Sequence, residues 1–331
     1  MKYQNDIDKM NTNRNLFLMS LPIFVELLLQ LLVGNVDQMM VSRVSQPSVA
    51  AIVNANQIMN LVIIVLSMAS TAVTVILSQY LGAQDEKNAS RTCMVSLVLI
   101  GGVSLAATIL VFAGHTPLYR AIHVPEEVFD EASLYLLIVG AFILVQGLYL
   151  TFSAMIRAFA MVKEVMIISV IMNAMNIVGN AILINGWFGM PQLGAVGAAI
   201  STDISKLVGL ALMIGMFFKS RRVKMGMSYL RPFPVQILKN LCLLAIPTGV
   251  ESFSYNLSQM MILGIVNSFG TLVTVTKGYC TIFANIDYVY AMAIATATQI
   301  VLGYLIGARR LNDIQKRVNA TLKVAIAACV G

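Results

Sequence analysis

The sequence predicts an all-α polytopic membrane protein, and three observations carry that prediction. Of its 331 residues 58% are hydrophobic and only 11% charged, against about 25% charged in a soluble domain. With a mean hydropathy of +0.82, the chain cannot clothe itself in solvated side chains. Apolar runs recur along it, each near or above the ~20 residues that cross a bilayer's hydrocarbon. Finally, the stretch 21–83 returns without a gap 225 positions later. Pro22 maps onto Pro247, Val25-Glu26 onto Val250-Glu251, Asn60 onto Asn285, Thr71-Ala72 onto Thr296-Ala297 and Gly82-Ala83 onto Gly307-Ala308. A repeated helix pair implies two lobes of like topology, a common build for transporters.

Eight spans are expected, at 15–41, 48–81, 92–113, 132–157, 164–186, 194–218, 238–267 and 275–307. The second and eighth are over-long, which predicts tilt or protrusion. The first six form an N-terminal lobe, 1–218. The polar stretch 219–239, with Arg231-Pro232-Phe233-Pro234 inside it, reads as the linker. Residues 240–331 hold the first two helices of a second lobe and an apolar run from Val318 to Gly331 that is too short to span. About four helices of a complete repeat are lacking, so the expectation is a fragment or a truncated gene. Pro125 through Glu131 reads as a short capping segment before the fourth span.

Net charge is +7, but the basic residues sort by loop and do not indicate nucleic acid. One side carries Lys2, Lys9, Arg14, Lys87, Arg91, Arg157, Lys163, Lys219, Arg221, Arg222, Lys224, Arg231, Lys239, Arg309, Arg310, Lys316 and Arg317. The other carries Arg43, Arg120 and Lys277. Seventeen against three places the N-terminus in the cytoplasm. Met1 to Arg14 is polar and the first apolar run is too long for a cleavable signal. Cys93, Cys242, Cys280 and Cys329 lack metal or redox spacing and read as small buried hydrophobes. His115 and His123 flank one loop and match no metal pattern.

Five acids fall inside spans: Glu26, Asp37, Asp203, Glu251 and Asp287. A mid-bilayer carboxylate costs about 2.5–3.5 kcal/mol on insertion scales, so each must face the bundle interior, pair, or be protonated. Asp37 shares a helix face with Glu26, about 16 Å further along the axis. Pro22 removes a backbone donor and lets this helix bend. A bendable helix with a titratable acid suits gating; an acid held by a neighbour's hydroxyl is the plainer reading. Asn173, Asn176 and Asn180 share one face of the fifth span, as cation ligands or as interhelical packing amides. The sixth span opens on Gly194-Ala195-Val196-Gly197-Ala198-Ala199, which permits close helix approach, and continues through Ser201, Thr202 and Asp203. Asp203 and Lys206, three apart, suit an ion pair. Glu251 follows Pro247 as Glu26 follows Pro22. Tyr255, Asn256 and Gln259 extend a polar strip, and Asn285 and Asp287 lie on the next span. These acids, with Gln30, either line a cavity or pair with one another. The 21 Met and the aromatic residues fill a core or line an adaptable pocket.

Taken together, these features resemble the multidrug and toxic compound extrusion (MATE) family. The matching residues are Pro22, Asp37, Gln79-Tyr80-Leu81-Gly82-Ala83, Tyr135, Ile156-Arg157-Ala158, Asn176-Ile177 with Asn180, Gly194 and Gly197-Ala198-Ala199 with Thr202, and Gly307-Ala308. The resemblance implies a MATE-like bundle: two six-helix lobes in a V around a central cavity, exporting cationic or apolar drugs against Na⁺ or H⁺. It implies a first-lobe cation site of Asp37, Asn176, Asn180 and Thr202, with Tyr135 nearby. Where the family has an acid on the fifth helix this chain has Asn180, leaving one negative charge. The implied protein is an antiporter and no enzyme: a monomer of the cell (inner) membrane with a drug-like small-molecule substrate, no cofactor beyond the coupling ion, and no nucleic-acid partner. Pro22 and Pro247 are its expected hinges. The alternatives are a flippase of lipid-linked oligosaccharides, which needs more cavity cations than the single mid-span Lys206, and an inactive truncated transporter. An intramembrane enzyme lacks any HExxH motif or in-span histidine.

Overall fold

A computed structural model describes residues 7–42, 46–121, 124, 126–189, 191–267, 269 and 271–330. Ten helices follow a helical turn at 7–10. They are α1 (Asn13–Ser42), α2 (Gln46–Gly82), α3 (Glu86–Ala121), α4 (Glu126–Ala141), α5 (Ile143–Ala158), α6 (Val162–Leu183), α7 (Gly194–Ser220), α8 (Val235–Asn267), α9 (Thr271–Gly307) and α10 (Leu311–Val330). No strand occurs among the described residues. α1, α2, α3, α6, α7 and the Ala284–Gly307 part of α9 are each long and apolar enough to cross a membrane. Counted as one bent span, the α4–α5 pair brings the crossings among the described residues to seven, and the chain is a multi-pass membrane protein.

Four details depart from the sequence reading. The fourth span is not one rod: it breaks at Phe142 and its halves meet at 44°. The acidic stretch before it is no separate segment, because Glu126 and Glu127 form the first turn of α4, where carboxylates favour the helix N-terminus. α8 runs 33 residues but is not among the helices apolar enough to cross by composition; Thr248, Glu251, Ser252, Ser254, Asn256, Ser258 and Gln259 dilute it. Of the stretch read as linker, Met227–Leu230 is a 3₁₀ turn, while Lys219–Ser220 belongs to α7 and 235–239 to α8.

The repeat explains how the two lobes meet. It relates α1 to α8 and α2 to α9. α1 packs on α9 and α8 on α2, which are counterpart contacts, and α2 crosses α9 between them. At that crossing a Cβ on Gly82 would lie 2.7 Å from the Tyr304 Cα, and one on Gly307 2.7 Å from the Ala83 nitrogen while overlapping the Gln79 carbonyl. Gln79 and Tyr304 are themselves repeat-related, so the two contacts are the same contact seen from either lobe. On the pseudo-dyad, a Gly303 Cβ would stand 2.5 Å from Ser78 Cβ, its own repeat mate. The crossing is therefore self-complementary, like an isologous dimer interface. It is built from two small-xxx-small steps, Ser78/Gly82 and Gly303/Gly307, which let helix backbones touch.

These contacts gather at one end of the bundle, where the chain begins, here called the proximal end. Tyr304 Oη donates to the Ala158 carbonyl at 3.0 Å. Arg310 pairs with Asp8 and Asp313, and Arg317 donates to the Asn11 carbonyl and to Asn13. Both repeat-related helices end alike: Gln84 and Arg309 are left-handed (φ 57° each), and the Asp85 and Arg310 amides bond back to the Tyr80 and Leu305 carbonyls. A core of Leu16, Met19, Ile23, Ala293, Ala297, Ile300, Val301, Tyr304 and Leu305 seals the proximal end. Exposed apolar side chains occur at both ends: Phe17, Leu21, Leu243, Ile246 and Ile306 proximally, and Leu32, Met39, Tyr255, Ile286 and Tyr288 distally.

Candidate functional site

Two polar clusters lie within the apolar bundle. The first sits where α6 crosses α7. These helices touch because Gly179 faces Ser201, whose hydroxyl a Cβ there would overlap, and because a Gly197 Cβ would lie 2.6 Å from the Leu183 carbonyl. Ser201 Oγ donates to the Asn176 carbonyl at 3.0 Å. Asn176 Nδ2 donates to Thr202 Oγ1 at 3.2 Å, and Asn180 Nδ2 to Asn176 Oδ1 at 3.4 Å. Asn173 donates to Ser169 Oγ, also at 3.4 Å. All three asparagines are buried, Asn180 completely. The structure thus brings Asn176, Asn180 and Thr202 into one oxygen-rich cluster. α1 packs along α6, so the helix bearing Asp37 flanks it; the Asp37 side chain lies outside the described residues. Tyr135 is buried on α4, and α4 packs on α7. Among the described residues no group of three or more His, Cys, Asp or Glu could hold a metal ion.

The second cluster surrounds a cavity of about 240 Å³ between the lobes. α2 turns a hydroxyl stripe to it, Ser67, Ser70, Thr71 and Thr74, at helical spacing. Ser153 and Arg157 of α5 and Thr296 and Gln299 of α9 complete the polar wall. Arg157 Nη2 pairs with Glu26 Oε1 at 2.6 Å, joining α5 to α1 one turn beyond Pro22. Glu26 is 1% exposed and Arg157 21%, so Glu26 is a buried ion-pair partner and Arg157 presents the pair's charge to the cavity. Gln30 Nε2 lies 3.5 Å from the same Glu26 oxygen, and lines an adjoining space of about 440 Å³ with Asn285, Tyr288 and Met292.

The other singled-out acids are placed apart. Asp203 is buried on α7, and its carboxylate has no hydrogen-bond partner among the described residues; it feels the charge of Lys206. Glu251 and Asp287 are exposed on the distal halves of α8 and α9, where Tyr255 and Tyr288 stack with ring centres 6.1 Å apart. Sequence reasoning passed over the Glu26–Arg157 pair, having counted Arg157 as a loop cation. It also passed over the α2 hydroxyls, although their spacing was readable.

Comparisons with known proteins bear on the family and the fold. The MatE family model matches residues 22–182 and 247–331. The uncharacterized transporter YisQ of Bacillus subtilis is 34% identical over 312 residues, covering 94% of this chain and 69% of YisQ. The probable multidrug resistance protein NorM of Chromobacterium violaceum is 28% identical (88% of this chain, 63% of NorM), and that of Thermotoga maritima 26% (76% and 54%). The chain therefore spans less than two thirds of these NorM relatives' length. The crystal structure of MATE in the bent conformation superposes with a TM-score of 0.87 at 20% identity, over 97% of this chain and 72% of that one. An outward-facing multidrug resistance MATE transporter of the MOP superfamily gives 0.86 at 21%, over 97% and 71%. At such identity the likeness concerns the fold.

Proposed function

The chain belongs to the MatE family, and from that premise we propose that it works as a secondary antiporter exporting drug-like molecules in exchange for Na⁺ or H⁺. The observation that carries this reading is the cavity between α1, α2, α5 and α9, lined by hydroxyls and Arg157 and bounded proximally by the α2–α9 crossing. That is the shape of one state of an alternating-access carrier. The relatives named as probable multidrug resistance proteins support the substrate class. The loop charges make the proximal end cytoplasmic, so this state faces outward from the cell membrane. The protein works as a monomer in the bilayer, without a nucleic-acid partner.

The coupling ion would be held by Asp37 with Asn176, Asn180 and Thr202. Buried amide and hydroxyl oxygens suit a hard cation, and the Asn176–Thr202 and Asn180–Asn176 contacts hold those oxygens close together before any ion arrives. Na⁺ would supply the positive charge that neutralises Asp37; a proton would do so by forming the acid. With Asp37 ionised, α1 is drawn to this cluster. With the charge removed, α1 is free to relax at Pro22, and α8 offers the equivalent joint at Pro247. Because α1 also carries Glu26, such a movement reaches the cavity wall.

The test is efflux of a fluorescent cationic dye from vesicles containing the full-length protein, with the Na⁺ and pH gradients collapsed separately. Efflux that stops with one gradient identifies the ion. Efflux that survives loss of both removes the antiport reading.

A further inference from the structure

The segment that joins α7 to α8 at the proximal end is cationic throughout. Lys219, Arg221, Arg222, Lys224, Arg231 and Lys239 fall within it, and no acid occurs from residue 204 to residue 250. All six side chains are exposed, and none of them enters an ion pair among the described residues. A surface facing only water ordinarily intersperses charges of both signs.

The other side of the segment is fixed to the bundle. Arg222 and Lys224 face outward, while Val223 and Met225 between and after them pack against the core, as does Leu230. The Lys224 amide donates to Ser90 Oγ at 3.1 Å, and the 3₁₀ turn Met227–Leu230 packs along α3. Lys87 and Arg91 lie on the α3 face beside Ser90 and extend the positive surface. The acids at that helix end are Asp85, which accepts from the backbone and side-chain amides of Asn88, and Glu86. Neither pairs with a cation of the segment.

Exposed apolar side chains stand between these cations. They are Phe218, Met227, Phe233 and Val235, and Met227 is 76% exposed. Phe218 lies in the last turn of α7, a helix apolar enough to cross a membrane, and Val235 opens α8. The belt therefore sits where the chain leaves the bilayer. Cations interleaved with apolar groups at that depth suit the headgroup layer, where the apolar groups reach the acyl boundary and the cations meet phosphate.

We propose that this inter-lobe segment is a binding surface for anionic phospholipid headgroups in the leaflet at the proximal end. Arg221, Arg222, Lys224 and Arg231 take the phosphates, and Met227 and Phe233 insert beside the acyl chains. A phosphate that accepts from two of these side chains ties the connection between the lobes to the bilayer. The proposal is independent of the exported molecule and of the coupling ion.

In the experiment the purified full-length protein is placed in micelles holding equal amounts of phosphatidylglycerol and phosphatidylcholine with the same acyl chains. The lipids it retains are identified by native mass spectrometry. The native protein should prefer the anionic lipid about tenfold, the scale of one or two cations acting on an anionic headgroup. R221Q/R222Q/K224Q/R231Q should lose the preference; all four side chains are exposed, so the fold is kept. K9Q/R14Q/K163Q/K316Q removes as many exposed cations elsewhere and should keep it. M227S/F233S, with charge unchanged, should retain less of the anionic lipid. Glycerophosphoglycerol, the headgroup without its chains, should not displace the lipid. No preference in the native protein, or equal loss in the two quadruple variants, would reduce the patch to general surface charge and overturn the proposal. Displacement by the chain-free headgroup, or retention untouched by M227S/F233S, would overturn it too, since the ligand would then be a phosphate ester and not a lipid.

Discussion

The glycine crossing between α2 and α9 makes the sharpest prediction, because its cost can be worked from the structure and falls on one conformation only. A methyl group at Gly307 would overlap the Gln79 carbonyl and stand 2.7 Å from the Ala83 nitrogen. Both are backbone atoms and cannot rotate away, so the helices must separate. Forcing a methyl into a packed contact costs about 1–3 kcal/mol. The gain in helix propensity over glycine, about 1 kcal/mol, is common to both conformations and cancels. A state open at the proximal end would need α2 and α9 to part there, which would remove the clash. Gly307→Ala should therefore shift the balance toward that state by roughly 5–150-fold. The assay is alkylation of Ser153→Cys, which lines the cavity, by an impermeant maleimide applied from the proximal side, with the natural cysteines replaced. The rate should rise in proportion to the population shift. Gly101→Ala is the control, since a Cβ there meets nothing within 4 Å. A folded Gly307→Ala protein that reacts no faster than the control would refute the idea that this crossing holds the proximal end shut.

Other predictions follow from the same contacts. Arg157→Ala strands Glu26 as an unpaired buried charge and should cost about 3–5 kcal/mol, read as thermal unfolding in detergent; adding Glu26→Gln should recover much of the loss. Gly179→Ala pushes into the Ser201 hydroxyl and should cost about 1–3 kcal/mol, with partial rescue by Ser201→Ala. Asn180→Asp adds a carboxylate to the α6–α7 cluster, so Na⁺ should protect the protein against heating at lower concentration than in the native form. The Arg310–Asp8 contact is partly exposed, so Arg310→Ala should cost no more than about 1 kcal/mol and be mimicked by high salt. The hydrogen bond to Asp8 raises the Arg310 pKa above its ordinary value. Whatever stability it contributes is complete below the unfolded pKa and lost only as pH climbs past the folded one. A stability profile across neutral pH should therefore show no step that Arg310→Ala removes.

Much of the architecture was legible beforehand, for definite reasons. Long apolar runs broken by polar loops have few alternatives to membrane helices, because a bilayer leaves the backbone no other partner. The 225-residue repeat was visible as Pro22/Pro247 and Gly82/Gly307, but its consequence was not. That the two copies of Gly-Ala meet across a pseudo-dyad is a property of tertiary packing, in which each glycine is explained by a residue on the other helix. The Asn176–Asn180 pair was readable from its spacing on one face, and Gly179 and Gly197 account for the close approach of Thr202. The break at Phe142 was passed over, although Gly140, two residues before it, weakens the helix there. Arg157 was misjudged because positive charge near a helix end ordinarily means solvent; here the α5 terminus tucks against α1, and Glu26 lies within hydrogen-bond reach. Glu251 and Asp287, which look like Glu26 in sequence, stand exposed, and no ion-pair partner reaches them among the described residues.

The account turns on α1 being held by a charge beside the asparagine cluster. Its most direct test is dye efflux driven by an imposed ion gradient in vesicles carrying the full-length protein, comparing the native form with Asp37→Asn and Thr202→Val. Efflux abolished by Asp37→Asn, and shifted by Thr202→Val to a higher requirement for the driving ion, is the predicted result. Undiminished efflux from a properly folded Asp37→Asn protein would contradict it.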